Sequence, residues 1–446
     1  MSGPSTRRFR PLLMAVALLL AGCGSDSYFG TPEAPPLPGT RVAILEQSGE
    51  AKPDPASSEI RPALPPAIEG AWEQSYGGPG HDAGHRALAP MPSLAWTADI
   101  GEGDNGKERR IVYPPVASST TVYTLDAGGN ITAVAADTGR EVWRYDPTPE
   151  DEDDGFGGGL AYADGVLYFA AGFAELVALD GATGAERWRA ALPTPSRAAP
   201  TVDGGRVFVI TIDNRLLAID SETGKTRWSF QAPPATAALL GGASPAAGQG
   251  AVVAATTSGE IVVFRAANGR ITWDDALTAV RRLGVAQAIP AVRASPVIAD
   301  GEVIAIGAAG LAAGIDFATG SRIWDRAIGG SETPAVAGAF LYMITDQPNL
   351  AALRRSDGAI AWTIDLNAAA GDIDPDKLRP EIYAGPIAAG GHLIVTRGKG
   401  EAMFFKAEDG ALAHRISLPG NTSLPVIVAN RTMYVLTDSG VLAAYK

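Results

Sequence analysis

The chain is almost without cysteine. A single one, Cys23, in 446 residues excludes an intramolecular disulfide and any zinc site built on thiolates. Four histidines leave little material for a metal cluster. Cationic charge is also short: 36 Lys and Arg stand against 49 Asp and Glu, a formal net charge of −13. With no basic surplus to neutralise phosphates, nucleic acid is excluded as a partner. The apolar run Leu12–Leu20, about ten residues, is too short to span a bilayer stably and has the length of a signal-peptide core. No Gly-rich stretch ends in Lys-Ser/Thr, and no G-x-G-x-x-G lies between a strand and a helix. A G-x-S-x-G elbow and an H-E-x-x-H helix are missing too, so no cofactor and no catalytic residue is expected.

Glycine and proline are plentiful instead, at 53 and 33, as many tight turns require. Residues 206–228, RVFVITIDNRLLAIDSETGKTRW, read as three short strands and two turns. Val207, Val209 and Thr211 alternate with Phe208, Ile210 and Ile212, the period of a strand apolar on both faces. The Glu222-Thr223-Gly224 turn leads into a third strand that carries Trp228. The turn and its Trp recur as DTGREVW ending at Trp143, ATGAERW at Trp188, ANGRITW at Trp273, ATGSRIW at Trp324 and SDGAIAW at Trp362. A further copy, EDGALAH, places His414 where the Trp should stand. The copies are 38–52 residues apart, the period of a β-propeller with one four-stranded blade per repeat. The regular place of the indoles predicts blade packing, each filling the seam against a neighbour, rather than ligand stacking.

The ends of the repeat region complement each other. LAWTADIG, residues 94–101, is an orphan Trp strand with Trp96 in the repeat position. Residues 424–446 supply the first strands of a blade and stop before its Trp strand. Strand 94–100 is therefore predicted to complete the last blade, close a ring of eight and hide a sheet edge. The expected organisation is a signal peptide over 1–22, a flexible lipid-anchored tether over 23–71, rich in Pro, Ser and acidic residues, and the propeller over 72–446. Within the tether, TRVAILEQ (40–47) is an apolar island, a short strand or a docking peptide. His81, Asp82 and His85 sit in a Gly- and Pro-rich loop with no helical face to converge on, so a loop covering one end of the ring is expected there, not a metal. Asp372, Asp374 and Asp376 begin like a calcium loop, but Lys377 and Tyr383 stand where Gly and Glu are needed. The run 150–154, EDEDD, reads as a solvated loop.

Residues 20–23, Leu-Ala-Gly-Cys, look like the lipobox of bacterial lipoproteins, in which the cysteine becomes acylated. The A-x-D-x-x-T-G-x-x-x-W pattern at 178–188 and 218–228 resembles the pyrroloquinoline-quinone-like propeller repeats. Two branches share it, the quinoprotein alcohol dehydrogenases and the BamB family of outer-membrane assembly lipoproteins. The enzymes carry an adjacent cysteine pair, which one cysteine cannot supply. The lipobox, the tether, LAWTADIG and LLGGASPA (239–246) are similar to the BamB family.

That resemblance implies a non-catalytic scaffold on the periplasmic face of the outer membrane, to which Gly24 after the cysteine would sort it. Its partners would be the periplasmic domains of a central β-barrel subunit and nascent outer-membrane proteins, with the membrane reached through the lipid. It implies docking by loops that open the middle blades, here 236–244 and 291–295, and the connections 236–244 and 288–295 are predicted to form the docking face. Leu240 stands where the family has Arg, and Ala291 and Arg293 stand where it has acidic residues, so the family's charge pattern is not kept. The residues themselves offer Leu239 and Leu240, apolar in a connection that would usually be polar, with Arg281, Arg282 and Arg293 as a cationic rim. Burial of those leucines under the ring is the alternative. A quinone-dependent dehydrogenase and a propeller for another envelope partner are the other function classes. Cys23→Ala, exported by a substitute signal, is predicted to fractionate as a soluble periplasmic protein. Recovery of unmodified wild type in that same fraction would refute lipid anchoring.

Overall fold

The computed structural model describes residues 51–106, 109–148, 158–196, 198–233, 242–277, 292–307, 310–371 and 381–446. Cys23, the 40–47 island, the acidic run, Leu239, Leu240, Arg281, Arg282 and the three aspartates at 372–376 lie outside them. The described residues form eight four-stranded antiparallel sheets, the blades of a propeller. Seven blades follow chain order and are numbered 1 to 7 from Val116 onward. The eighth takes its outermost strand from the start of the repeat region: Leu94–Asp99 pairs antiparallel with Val441–Tyr445, Thr97 opposite Ala443. The ring is closed as the complementary fragments predict.

Blade 3 shows the common anatomy. From the axis outward it holds Thr201–Asp203, Arg206–Ile210, Arg215–Asp220 and Thr226–Gln231. Val207, Phe208 and Ala218 are fully buried, because the middle strands are sandwiched between neighbouring blades. The Trp strand is thus the fourth of its blade, not the third. A three-residue inner strand is too short to show a period, so only the three longer strands are visible in the sequence.

Each Trp docks into the next blade. The Trp188 Nε1 donates to the Ser221 carbonyl at 3.0 Å, at the turn between the third and fourth strands of blade 3. In that turn the Asp220 carboxylate accepts from the Thr223 amide and hydroxyl at 2.9 and 2.7 Å. Gly224 adopts φ +69°, and a Cβ there would lie 2.7 Å from the Trp188 ring. Glycine is needed both for the left-handed backbone and for the close approach. The same N–H to carbonyl bond, 2.6–3.3 Å long, is made by Trp96, Trp143, Trp228, Trp273, Trp324 and Trp362.

His414 breaks the series. It pairs in register with Phe404, where Trp188, Trp228 and Trp362 face Ala178, Ala218 and Ala352, and its ring stacks on Phe404 at 4.2 Å. Blade 8, its neighbour, has no turn at the corresponding place. There Ser93 and Lys446 exchange backbone hydrogen bonds of 2.8 and 2.9 Å between two separate stretches of chain. No turn is present for an indole to enter.

Residues 51–90 form a strap on the ring, which corrects the expected tether boundary at 71. The Asp54 amide donates to the Ile360 carbonyl at 3.0 Å, and the Asp54 carboxylate accepts from the Ile360 amide at 2.7 Å. Ala51 is buried in the cluster that holds Trp324 and Ile360. Ile60 and Leu64 pack on the core shared by blades 6 and 7. The outer strand of blade 6 starts Ile360-Ala361-Trp362, apolar where most other outer strands are exposed, so the strap covers surface that a flexible tether would leave wet. Removing residues 1–50 is predicted to leave the denaturant midpoint unchanged, and removing 1–70 to lower it. Removing 1–101 also deletes the closing strand and the partly buried Trp96, where a fully buried Trp would be worth about 3–5 kcal/mol, and opens an edge. Equal midpoints for the last two truncations would refute the closure.

Candidate docking interface

The innermost strands leave one backbone edge facing the ring axis. Such N–H and C=O groups need partners, and the strap provides them. The Asn430 amide of blade 8 donates to the Gly70 carbonyl at 2.9 Å, and Trp72 exchanges bonds of 2.8 and 2.7 Å with Ala117 of blade 1. Tyr162 of blade 2 donates to Glu73, Ala247 of blade 4 to Pro79 and Ile298 of blade 5 to Gly80, at 2.7, 2.7 and 2.8 Å. The Arg86 amide donates to Ala388 of blade 7 at 2.8 Å. At blade 3 a side chain does the same work: the Gln74 amide donates to the Val202 carbonyl at 2.9 Å and accepts its N–H at 2.8 Å. The strap thus makes a circuit of the ring's interior.

The His81 and His85 rings belong to this circuit. The Nδ1 of His85 is 2.6 Å from the Pro65 carbonyl, and its Nε2 accepts from the Gly391 amide at 3.0 Å. The Nδ1 of His81 is 2.8 Å from the Pro296 carbonyl of blade 5. Burial drives the His81 pKa down to about 4, and the Pro296 bond opposes it. The Arg86 guanidinium lies over the Trp72 ring, 5.4 Å from its centroid.

Above the circuit stand the roots of the two connections expected to dock. Gly242–Ser244 and Val292–Ser295 lead into the inner strands of blades 4 and 5. The Tyr113 hydroxyl donates to the Gly242 carbonyl at 2.8 Å. The Ser244 amide donates to the Ser295 hydroxyl at 3.0 Å, and the Ser295 amide to the Thr333 hydroxyl at 2.8 Å. The two roots are therefore fastened to each other, and Arg293 is exposed between buried Val292 and Ala294. Its charge acts inward too. Burial raises the Glu332 carboxyl, and Arg293 pulls it back down. Burial, then Glu332, pushes the Tyr76 hydroxyl up to about 12.

Of the expected docking residues, Arg293 is placed at this mouth; the other four lie outside the described residues. The strap residues Gln74, Ser75 and Tyr76 were not singled out from sequence. Gly and Pro around them erase any period, and the one available signal was a short polar stretch directly after Trp72.

The family described as outer membrane protein assembly factor BamB matches residues 93–364. The chain belongs to this family. A relative of that description from Yersinia pestis is 22% identical over 362 residues, spanning 79% of this chain and 88% of the relative. Among solved structures, BamB from Moraxella catarrhalis superposes with a TM-score of 0.64 at 18% identity, covering 80% of this chain and all of that one. A europium-containing methanol dehydrogenase reaches a TM-score of 0.65 at 14% identity, covering 82% and 89%. At such identities both likenesses speak to the fold alone.

The buried His81 makes the strap sensitive to acid. Its folded pKa, about 4, lies below the ordinary value near 6.5, so unfolding takes up a proton between the two. The stability it carries is complete above about pH 6.5 and declines as pH falls toward 4, by on the order of 3 kcal/mol in total. His81 has φ 60°, in the left-handed region; His81→Asn tolerates that backbone and is predicted to flatten the decline, measured by urea unfolding from pH 7 to 4.

Proposed function

We propose that this chain is a non-catalytic scaffold of the machinery that assembles β-barrel proteins in the outer membrane. Its lipid at Cys23 holds it on the periplasmic face. Its connections 236–244 and 288–295 dock on the periplasmic domains of the central barrel subunit, and the complex aids folding and insertion of nascent outer-membrane proteins. Membership of the BamB family supports the assembly role.

One observation carries the docking surface. The two connections are rooted in a single hydrogen-bonded frame, through Ser244, Ser295 and Thr333, with Arg293 exposed on it. Loops on a rigid base lose little entropy on binding, which suits them to recognition. A scaffold also fits a ring whose inner strands are bonded to the chain's own strap in seven of eight blades.

Leu239→Asp with Leu240→Asp, and separately Arg293→Glu, are predicted to lose co-purification with the barrel subunit. The melting temperature should hold, since surface changes cost within about 0.5 kcal/mol. A large fall in melting temperature for the double variant would assign the leucines to the core. Undiminished co-purification by both variants would move the docking surface elsewhere. Quinone-dependent dye reduction by the purified wild type would overturn the non-catalytic reading.

A further inference from the structure

Tyr113 joins two connections that the indole seams leave apart. It lies in the connection 100–115, which runs from the closing strand into blade 1. Its hydroxyl donates to the Gly242 carbonyl at 2.8 Å and accepts from the Gly242 amide at 3.3 Å. Gly242 belongs to the connection into blade 4. Each indole seam joins adjacent blades, whereas this pair of bonds is a chord of the ring, with blades 2 and 3 between its ends. Burial pushes the Tyr113 pKa well above the ordinary phenol range, so the hydroxyl keeps its proton and stays a donor.

The base of the chord is rigid. Pro114 and Pro115 follow Tyr113 and fix two successive φ angles. Ile111, two residues before it, is buried in one cluster with Ile100, Val122 and Val134. Farther back, the Glu102 amide donates to the Asp126 carboxylate at 3.0 Å, and the Ala127 amide donates to the Glu102 carbonyl at 2.9 Å. The Asp104 amide donates to the Asp438 carbonyl at 2.6 Å. The connection is thus tied to blades 1 and 8 before it reaches Tyr113. Beyond Tyr113, Ala117 is bonded to Trp72 of the strap.

The far end of the chord needs such support. Gly242 follows Leu239-Leu240-Gly241 in the sequence and stands two residues before Ser244. Glycine has more backbone freedom to lose than any other residue. Ser244 is held by the Ser295 hydroxyl, but a chain held at one point can still pivot there. Tyr113 adds a second point, at both polar backbone groups of Gly242.

We propose that Tyr113 is a positioning residue of the docking surface, a strut from blade 1 that fixes the direction in which the connection 236–244 leaves the ring. The proposal rests on the docking surface described under the proposed function. Docking through Leu239 and Leu240 then depends on a residue whose separation from Gly242 in the chain is 129.

The test uses the full chain with Tyr113→Phe, which keeps the ring and removes the hydroxyl. A hydrogen bond of this kind is worth a factor of about three to ten. Amide hydrogen exchange at Gly242 should accelerate by about that factor, while the Val202 and Ala247 amides, held by the strap, stay as they were. The Kd for the purified periplasmic domains of the barrel subunit should rise by a similar factor, with the melting temperature unmoved. A cycle with Leu240→Ala separates positioning from direct contact: in that background Tyr113→Phe should cost less affinity than in the wild type, because part of what it positions is gone. Equal losses in both backgrounds would make Tyr113 a contact residue and overturn the proposal. Unchanged exchange at Gly242 also overturns it, and so does faster exchange at all three amides with a fallen melting temperature, the signature of a general structural role. Wild-type binding that Tyr113→Phe leaves undiminished sinks this proposal alone, whereas a wild type that does not bind the periplasmic domains sinks the docking function and this proposal with it.

Discussion

An indole inserted into its neighbour's turn is the contact on which the ring depends. The donor is always the outermost strand and the acceptor always the turn of the following blade, so the interaction has a direction and can be repeated only around a circle. It asks three things of the sequence. The ring must be long enough to cross the seam and must carry an N–H, which only Trp combines. The acceptor turn must present a carbonyl, as Ser221 and Gly181 do. The turn must also have no Cβ where the indole lies, hence Gly184, Gly224 and Gly269. A short Asp and a Thr then hold the turn, as at Asp180 and Thr183.

These demands explain why so much of the fold was legible. A Gly and a Trp four residues apart are the acceptor half of one seam and the donor half of the next, as Gly224 receives Trp188 and Trp228 enters the turn of Gly269, so counting the pairs counts blades. Closure was legible from the missing halves, since residues 94–101 and 424–446 each lack what the other has. The interior circuit was not legible. Its partners are backbone groups, which carry no side-chain signature, and its one substitute for backbone, the Gln74 amide, is a common residue in an aperiodic stretch. The inner strands escaped notice for the same reason: three residues such as Thr201–Asp203 cannot display an alternation. The tether was placed too far along because Pro and Ser suggest flexibility, whereas Asp54, Ile60 and Leu64 are held by Ile360 and the apolar core behind it.

The proposed docking surface sits between these cases. Apolar residues before a Gly pair and scattered arginines were visible in the sequence. The fastening of the two connection roots through Ser244, Ser295 and Thr333 was not, because it joins backbone amides of two blades to single hydroxyls of the blades that follow them. Serine and threonine are common in loops, and nothing in their spacing tells which of them face one axis. Electrostatics follow the same frame. Arg293 is a cation on an acidic protein, set where its charge also steadies Glu332 and Tyr76.

The course of the strap has a consequence for load. A pull on the chain at residue 51 meets the outer strand of blade 6 first, through Asp54 and Ile360, and then the backbone bonds inside the ring. Strand 94–99, whose departure would open the circle, lies beyond all of them in the chain. Tension is therefore spread over inner strands of seven blades before any of it reaches the one strand that could unzip. A load applied to the chain at residue 51 is thus taken first by one outer strand and then by the ring's interior bonds, and the closing strand is the last to feel it.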